Sequence, residues 1–196
     1  MGTLRAVVAV GALAAALPAT APAQTHALDR GSFRVGGTAS FTSAGGEVDG
    51  DPVDRETQLT LAPSVQYFLL PGLAVGGNLS LSRRGFGDDD AVTSYGIGPA
   101  VTYYFGADDA ADQDWFPYID AGIRYVDVQV DDAILGSEEP SVMGYNAAAG
   151  ILFLLSPAVG MTGELFYDRS DLENNIGTDT RADTFGLAFG ISAFVF

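Results

Sequence analysis

Cysteine is absent from all 196 residues, and that closes several routes at once. Without thiols the chain has no disulfide staples, no thiolate metal ligands and no cysteine to carry a lipoprotein anchor. Lysine is also missing, so all 9 cations are arginines, set against 25 carboxylates for a formal net charge of −16. A chain this acidic repels phosphate rather than releasing counterions from it, which rules out nucleic acid as a partner. Histidine occurs once, at His26, in what reads as a flexible terminus. A His-Ser-acid site, a thiolate nucleophile and a typical zinc site therefore all lack their parts. No enzyme activity, cofactor or bound metal is expected.

Long apolar runs are scarce too. The best candidate, Ala147 to Leu155, stops at Ser156-Pro157, far short of the roughly 20 residues that a spanning helix needs. Glycine, 25 residues spread through the chain, argues against helices generally. Yet 47% of the residues are hydrophobic. They are dealt out alternately.

At the N-terminus, Arg5 precedes an apolar run from Ala6 to Leu17; Pro18 ends it, and Ala21-Pro22-Ala23 offers small residues for cleavage. This pattern predicts a secretory signal peptide over residues 1–23, leaving 24–196 as one domain. Period-2 alternation then predicts eight strands, near 32–42, 56–69, 73–83, 92–105, 115–128, 142–155, 158–168 and 182–196. In nearly all of them the odd positions are large and apolar and the even positions small or polar. Leu59, Leu61, Val65, Tyr67 and Leu69 alternate with Thr60, Ala62, Ser64 and Gln66. Small Gly, Ala, Ser and Thr side chains would fill a soluble core badly, whereas large apolar side chains facing lipid suit a membrane barrel.

The connections read alternately short and long. Leu70-Pro71-Gly72 and Ser156-Pro157 are tight and 106–114 moderate, against polar stretches near 43–55, 84–91, 129–141 and 169–181. With the short turns periplasmic, both termini belong on the periplasmic side. Aromatic residues form two expected girdles. Phe41, Tyr95, Tyr125, Tyr145, Tyr167 and Phe185 lie near the long connections, and Phe33, Tyr67, Tyr103, Phe105 and Phe153 near the turns. Eight residues separate the two rows, which at ~3.3 Å per residue and ~40° tilt spans roughly 20 Å.

Pro117-Tyr-Ile-Asp-Ala-Gly-Ile-Arg-Tyr125, with the closing apolar strand Phe185 to Phe196, carries a family likeness. The chain resembles the small eight-stranded outer-membrane proteins, the OmpA-barrel, OmpX and OmpW group. The resemblance covers 24–196 and implies an all-β fold: an antiparallel, transmembrane, up-and-down β-barrel in a bacterial outer membrane. It implies outer-membrane lipid as surroundings, and periplasmic chaperones and the barrel-assembly machinery as partners during biogenesis. Phe196, with Phe194 two before it, resembles the signal read by that machinery. Both are out of phase with Phe185, Leu187, Phe189 and Ile191. Either a bulge near Ser192 switches the faces, or the last residues sit below the lipid edge.

Even parity collects Arg34, Gln66, Asn78, Tyr118, Asp120, Arg124, Asn146 and Glu164 inside the barrel. Two readings are open for them: a salt-bridge network that plugs the lumen, with Arg34 and Glu164 as one pair, or a gated polar path. The outer connections are acidic (Glu47, Asp49, Asp51 and Asp54; Asp88 to Asp90; Asp131, Asp132, Glu138 and Glu139; Asp171, Glu173 and Asp179), either solvated or holding a surface ligand or divalent cation. Arg83 and Arg84 mark an outer strand end, reaching lipid phosphates or snorkelling at the rim. By resemblance the role is envelope integrity or surface interaction. The alternative is a narrow pore or conduit for small solutes, hydrophobic ones among them.

Overall fold

Alternating apolar and small residues, divided by glycine and proline, leave the backbone one way to satisfy its polar groups inside lipid: a sheet that closes on itself. A computed structural model describes residues 26–48, 51–86, 90–108, 113–130, 141–173 and 179–196. Among these residues the strands are β1 (Phe33–Val48), β2 (Asp51–Leu70), β3 (Leu73–Phe86), β4 (Asp90–Tyr104), β5 (Trp115–Val130), β6 (Ser141–Ser156), β7 (Val159–Glu173) and β8 (Asp179–Val195). They form one closed antiparallel barrel in chain order, with β8 paired back onto β1.

The register fixes the barrel's dimensions. Stepping from Val195 through the partners Phe33, Tyr67, Val75, Val101, Ala121, Ala147 and Tyr167 returns to β8 at Phe185, ten residues from the start. Eight strands with that stagger tilt by roughly 40° on a backbone radius of roughly 8 Å, a bore that side chains can fill. Every residue on this path is odd, and odd residues face outward. Phe41, Ile97, Phe185 and Phe189 are between 60% and 69% exposed. A continuous apolar exterior of this kind would aggregate in water and is stable against lipid.

At the loop end the strands run further than the alternation alone indicates. β1 continues to Val48, β2 starts at Asp51, β3 reaches Phe86, β4 starts at Asp90, β7 reaches Glu173 and β8 begins at Asp179. Much of the polar sequence at 43–55, 84–91 and 169–181 is thus barrel wall rather than loop. The hydrophobic pattern stops where lipid would stop, but strand pairing needs only backbone groups and continues past it. Residues 49–50, 87–89, 109–112, 131–140 and 174–178 lie outside the described residues, and with them Asp49, Asp88, Asp89, Asp131, Asp132, Glu138 and Glu139.

The opposite end of the barrel is tight. Gly72 closes the β2–β3 turn at φ 74°, accepts the Tyr104 amide at 2.8 Å and donates to the Leu28 carbonyl at 3.0 Å. A Cβ there would sit 2.5 Å from the Tyr104 carbonyl oxygen, so only glycine fits both the dihedral and the space. β8 carries no bulge: its register with β7 and with β1 is unbroken from Phe189 to Ala193. Phe194 keeps the inward phase and is buried, at 4% exposure, while Phe196 is half exposed. Neither proposed explanation of the phase change is needed at Phe194, because this aromatic belongs to the interior.

Candidate functional site

The lumen is organised in three levels from turn end to loop end. The first is apolar. Phe68, Tyr104, Phe116, Leu152 and Phe194 project inward from five strands or their ends and are buried. Ala27 and Leu28 fill the centre from below, since residues 26–32 turn back across the mouth of the barrel. Gly31 donates to the Phe68 carbonyl at 2.8 Å and Phe68 to the Ser32 carbonyl at 3.0 Å. His26 is not part of a free terminus: its ring meets Phe116 edge-on at 5.3 Å and its Nδ1 accepts the Leu28 amide at 3.2 Å. Burial lowers the His26 pKa, partly opposed by the Asp29 carboxylate.

The second level is a polar layer. Arg34, 5% exposed, donates to Ser192 Oγ at 2.8 Å, Gln66 Oε1 at 3.0 Å and Tyr104 Oη at 2.8 Å. Gln66 donates to Thr102 at 2.5 Å, and Thr102 to Asp120 at 2.5 Å. Asn146 donates to the other Asp120 oxygen at 3.2 Å. The chain of donors thus runs from a guanidinium to a carboxylate through two neutral groups, linking β1, β2, β4, β5 and β6. Each buried charge is met by hydrogen bonds without direct contact between the two ions.

Beside this chain, Tyr118 donates to Glu164 at 2.6 Å, and Arg124 forms an ion pair with Asp168. The direct Arg34–Glu164 pair expected from sequence does not form. Arg34 reaches Ser192 on the adjoining strand, and Glu164 takes the Tyr118 hydroxyl instead. Asn78 faces the same interior with its Oδ1 unpartnered, as are Asn146 Oδ1 and Arg124 Nε. A cavity of about 90 Å3, lined by Arg34, Asn78, Tyr118, Asp120, Arg124 and Glu164 among others, gives these atoms room for water.

Above lies a wider vestibule of about 310 Å3. Its wall is rich in hydroxyls, including Thr42, Thr60, Ser82 and Thr184, with Phe166 and Asp168 also on it. Arg84 points in and donates to Gln58 at 3.1 Å, whereas Arg83 is exposed on the outer face, so the two neighbouring arginines have different surroundings.

Of the residues singled out from sequence, Arg34, Gln66, Asp120 and Asn146 meet in one hydrogen-bonded group; Arg124, Glu164 and Asn78 line the adjoining cavity. The girdle residues Phe41, Tyr67, Tyr95, Tyr103, Tyr125, Tyr145, Phe153, Tyr167 and Phe185 are exposed on the outer face, as is Phe105 just past β4. Phe33 is half-buried against Tyr67, ring centres 4.8 Å apart. Sequence reasoning did not single out Thr102, Tyr104, Asp168 or Ser192 as members of the lumen's polar network. All four are even, and the parity rule alone selects them. Trp115, outward and paired with Phe153, adds to the turn-end row.

Comparison with known proteins agrees with this architecture. A search of curated proteins finds no match. Among solved structures, Neisserial surface protein A is similar at a TM-score of 0.54 and 13% identity, covering 83% of this chain and 96% of its own. The Yersinia pestis attachment invasion locus protein Ail, solved with the heparin analogue sucrose octasulfate, gives 0.51 and 17%, covering 85% and 99%. At these identities the likeness shows the fold. The family model described as the outer membrane protein beta-barrel domain matches residues 8–192. With an apolar exterior, a closed eight-strand register and that match over nearly its whole length, the chain belongs to the outer membrane protein beta-barrel domain family and is an integral protein of a bacterial outer membrane.

Proposed function

We propose that this protein is a closed, non-enzymatic barrel that serves the outer membrane through its bulk and its outer surface, in envelope integrity or surface interaction, rather than as a channel. The observation that carries this reading is the apolar floor, in which Leu28, Phe68, Phe116, Leu152 and Phe194 are all buried across one end of the bore. Ion passage through such a layer is blocked twice, by the lack of polar groups and by close packing.

In the same reading residues 1–23 are a cleaved signal peptide, and the turn end with both termini faces the periplasm. The vestibule and acidic connections then face outward, placed to meet a surface ligand. Periplasmic chaperones and the barrel-assembly machinery handle the chain before insertion, with Phe194 and Phe196 in the terminal signal.

The test is conductance in planar bilayers. Wild-type protein should stay closed, and a variant with Phe116→Ala and Phe194→Ala together should admit ions. Steady wild-type conductance, altered by Asp120→Asn or Arg124→Gln, would favour the second reading of a narrow conduit. That reading draws its support from the water-sized cavity around Asn78, Asp120 and Arg124.

A further inference from the structure

The vestibule is a dead end, and its wall is chemically specific. Hydroxyls are the commonest polar groups on that wall, and Thr42, Thr60, Ser82 and Thr184 bring them from four different strands, beside the apolar Val92, Val126 and Phe166. Gln58 and Arg84 add an amide and a guanidinium on β2 and β3, already joined to each other and to Ser82. Asp168, held by Arg124, adds a carboxylate. This is a set of short, fixed donors and acceptors at many angles, which suits a ligand that carries many hydroxyls.

One aromatic ring stands among them. Phe68, Tyr104, Phe116, Tyr118 and Phe194 are buried below, but Phe166 is partly exposed and lines both the vestibule and the cavity beneath it. Its position is set by its cross-strand partner Gly186, since a Cβ there would lie 2.8 Å from the ring tip. The missing side chain makes room for the ring tip beside Gly186, where the ring lines both spaces. A flat apolar ring beside hydroxyl, amide, carboxylate and guanidinium groups is the pairing that a sugar needs: an apolar face for its C–H groups and polar partners for its rim.

Size and charge narrow the ligand further. About 310 Å3 falls at the small end of small-molecule sites, roughly 300–1,000 Å3. Three guanidiniums reach the vestibule wall, Arg84, Arg124 and Arg169, and each is already engaged, with Gln58, Asp168 and Tyr167 respectively; with the chain as a whole carrying −16, a polyanion is opposed on approach. We infer that the vestibule binds a neutral mono- or disaccharide unit, free or at the end of a glycan, with Phe166 as its stacking platform. This rests on the reading of the lumen as closed, because a continuous pore would pass the sugar rather than hold it.

The experiment uses the full chain refolded in nanodiscs, with saturation-transfer NMR and calorimetry against glucose, galactose, N-acetylglucosamine, maltose and lactose. At least one should bind in the millimolar range or tighter. Phe166→Leu should weaken it by about tenfold, Phe166→Tyr should retain it, and Gly186→Ala should weaken it by displacing the ring. Heat-modifiable gel mobility certifies that each variant is folded, and glycan-terminated beads separate free sugar from glycan ends. No binding by any of the five at about 20 mM, a range far above useful affinity, overturns the inference. So does unchanged affinity in Phe166→Leu, or binding of sucrose octasulfate in preference to the neutral sugars. Conductance on the same preparation is read separately, so an open pore would refute the closed lumen whatever the binding result.

Discussion

Replacing Arg34 by methionine removes the cation at the centre of the polar layer while nearly keeping its volume. The guanidinium is 5% exposed and donates three hydrogen bonds. Two of its acceptors, the hydroxyls of Ser192 and Tyr104, can rotate toward other partners. Gln66 cannot follow, because its amide nitrogen is committed to Thr102. The lost bonds come from a charged donor, and Asp120 and Glu164 lose a neighbouring positive charge, so the cost should be about 3–4 kcal/mol. Arg34→Lys keeps the charge but not the fork and should cost about half of that. The assay is urea unfolding in lipid vesicles, followed by the fluorescence of Trp115, the single tryptophan, which is 51% exposed on the outer face. Adding Asp120→Asn to Arg34→Met should recover part of the loss, since the carboxylate then no longer needs a cation. If Arg34→Met stays within about 0.5 kcal/mol of wild type, the layer is solvated by water and the assigned hydrogen bonds carry no weight.

Phe116→Ala, at a fully buried site in the apolar floor, should cost about 3–5 kcal/mol in the same titration through the cavity that it leaves. Gly72→Ala should cost about 1–3 kcal/mol, from a left-handed dihedral and a collision with the Tyr104 carbonyl, measured by the urea midpoint. The Arg124–Asp168 pair should show a coupling of about 1–2 kcal/mol in a double-mutant cycle with Gln and Asn, reduced by exposure on the Asp168 side. For His26, burial lowers the folded-state pKa below 6.5, so the unfolded or undocked segment binds the proton more readily. Docking of residues 26–32 should therefore be strongest above pH ~6.5 and weaken as pH falls toward the lowered folded value. Hydrogen exchange at the Gly72 amide should report this, and His26→Gln should abolish the pH dependence.

The barrel was legible in the sequence because a period of two is strictly tied to which face a side chain takes. One parity decision sorts Phe41, Tyr95 and Leu187 outward and Arg34, Gln66 and Asp120 inward. At Phe194 the sequence leaves open a bulge near Ser192 or a place below the lipid edge, whereas the parity rule carried through without interruption gives the observed inward side chain. Strand ends were less legible. Beyond lipid the outward face needs no apolar residue, so the alternation fades while the backbone pairing of β1, β2, β7 and β8 continues. Pairings inside the lumen could not be read at all, because parity gives direction but not height. Arg34 and Glu164 share an interior, yet the stagger of ten residues decides that Arg34 meets Ser192 and Gln66 instead. His26 shows the same limit: nothing local announces a docked turn, which arises from Phe116 and the β2–β3 turn, distant in sequence.

The closure of β8 on β1 sets that stagger, and from it follow the three levels of the lumen. The chain's lack of cysteine gives a clean background for testing it. Ala39 and Phe189 are register partners across the seam. In outer membranes of cells producing the Ala39→Cys/Phe189→Cys variant, oxidation should form a disulfide in most molecules, while an Ala39→Cys/Phe185→Cys control, four residues out of register, should form little. Equal cross-linking in the two, or cross-linking only in the control, would contradict the register and the filled lumen derived from it.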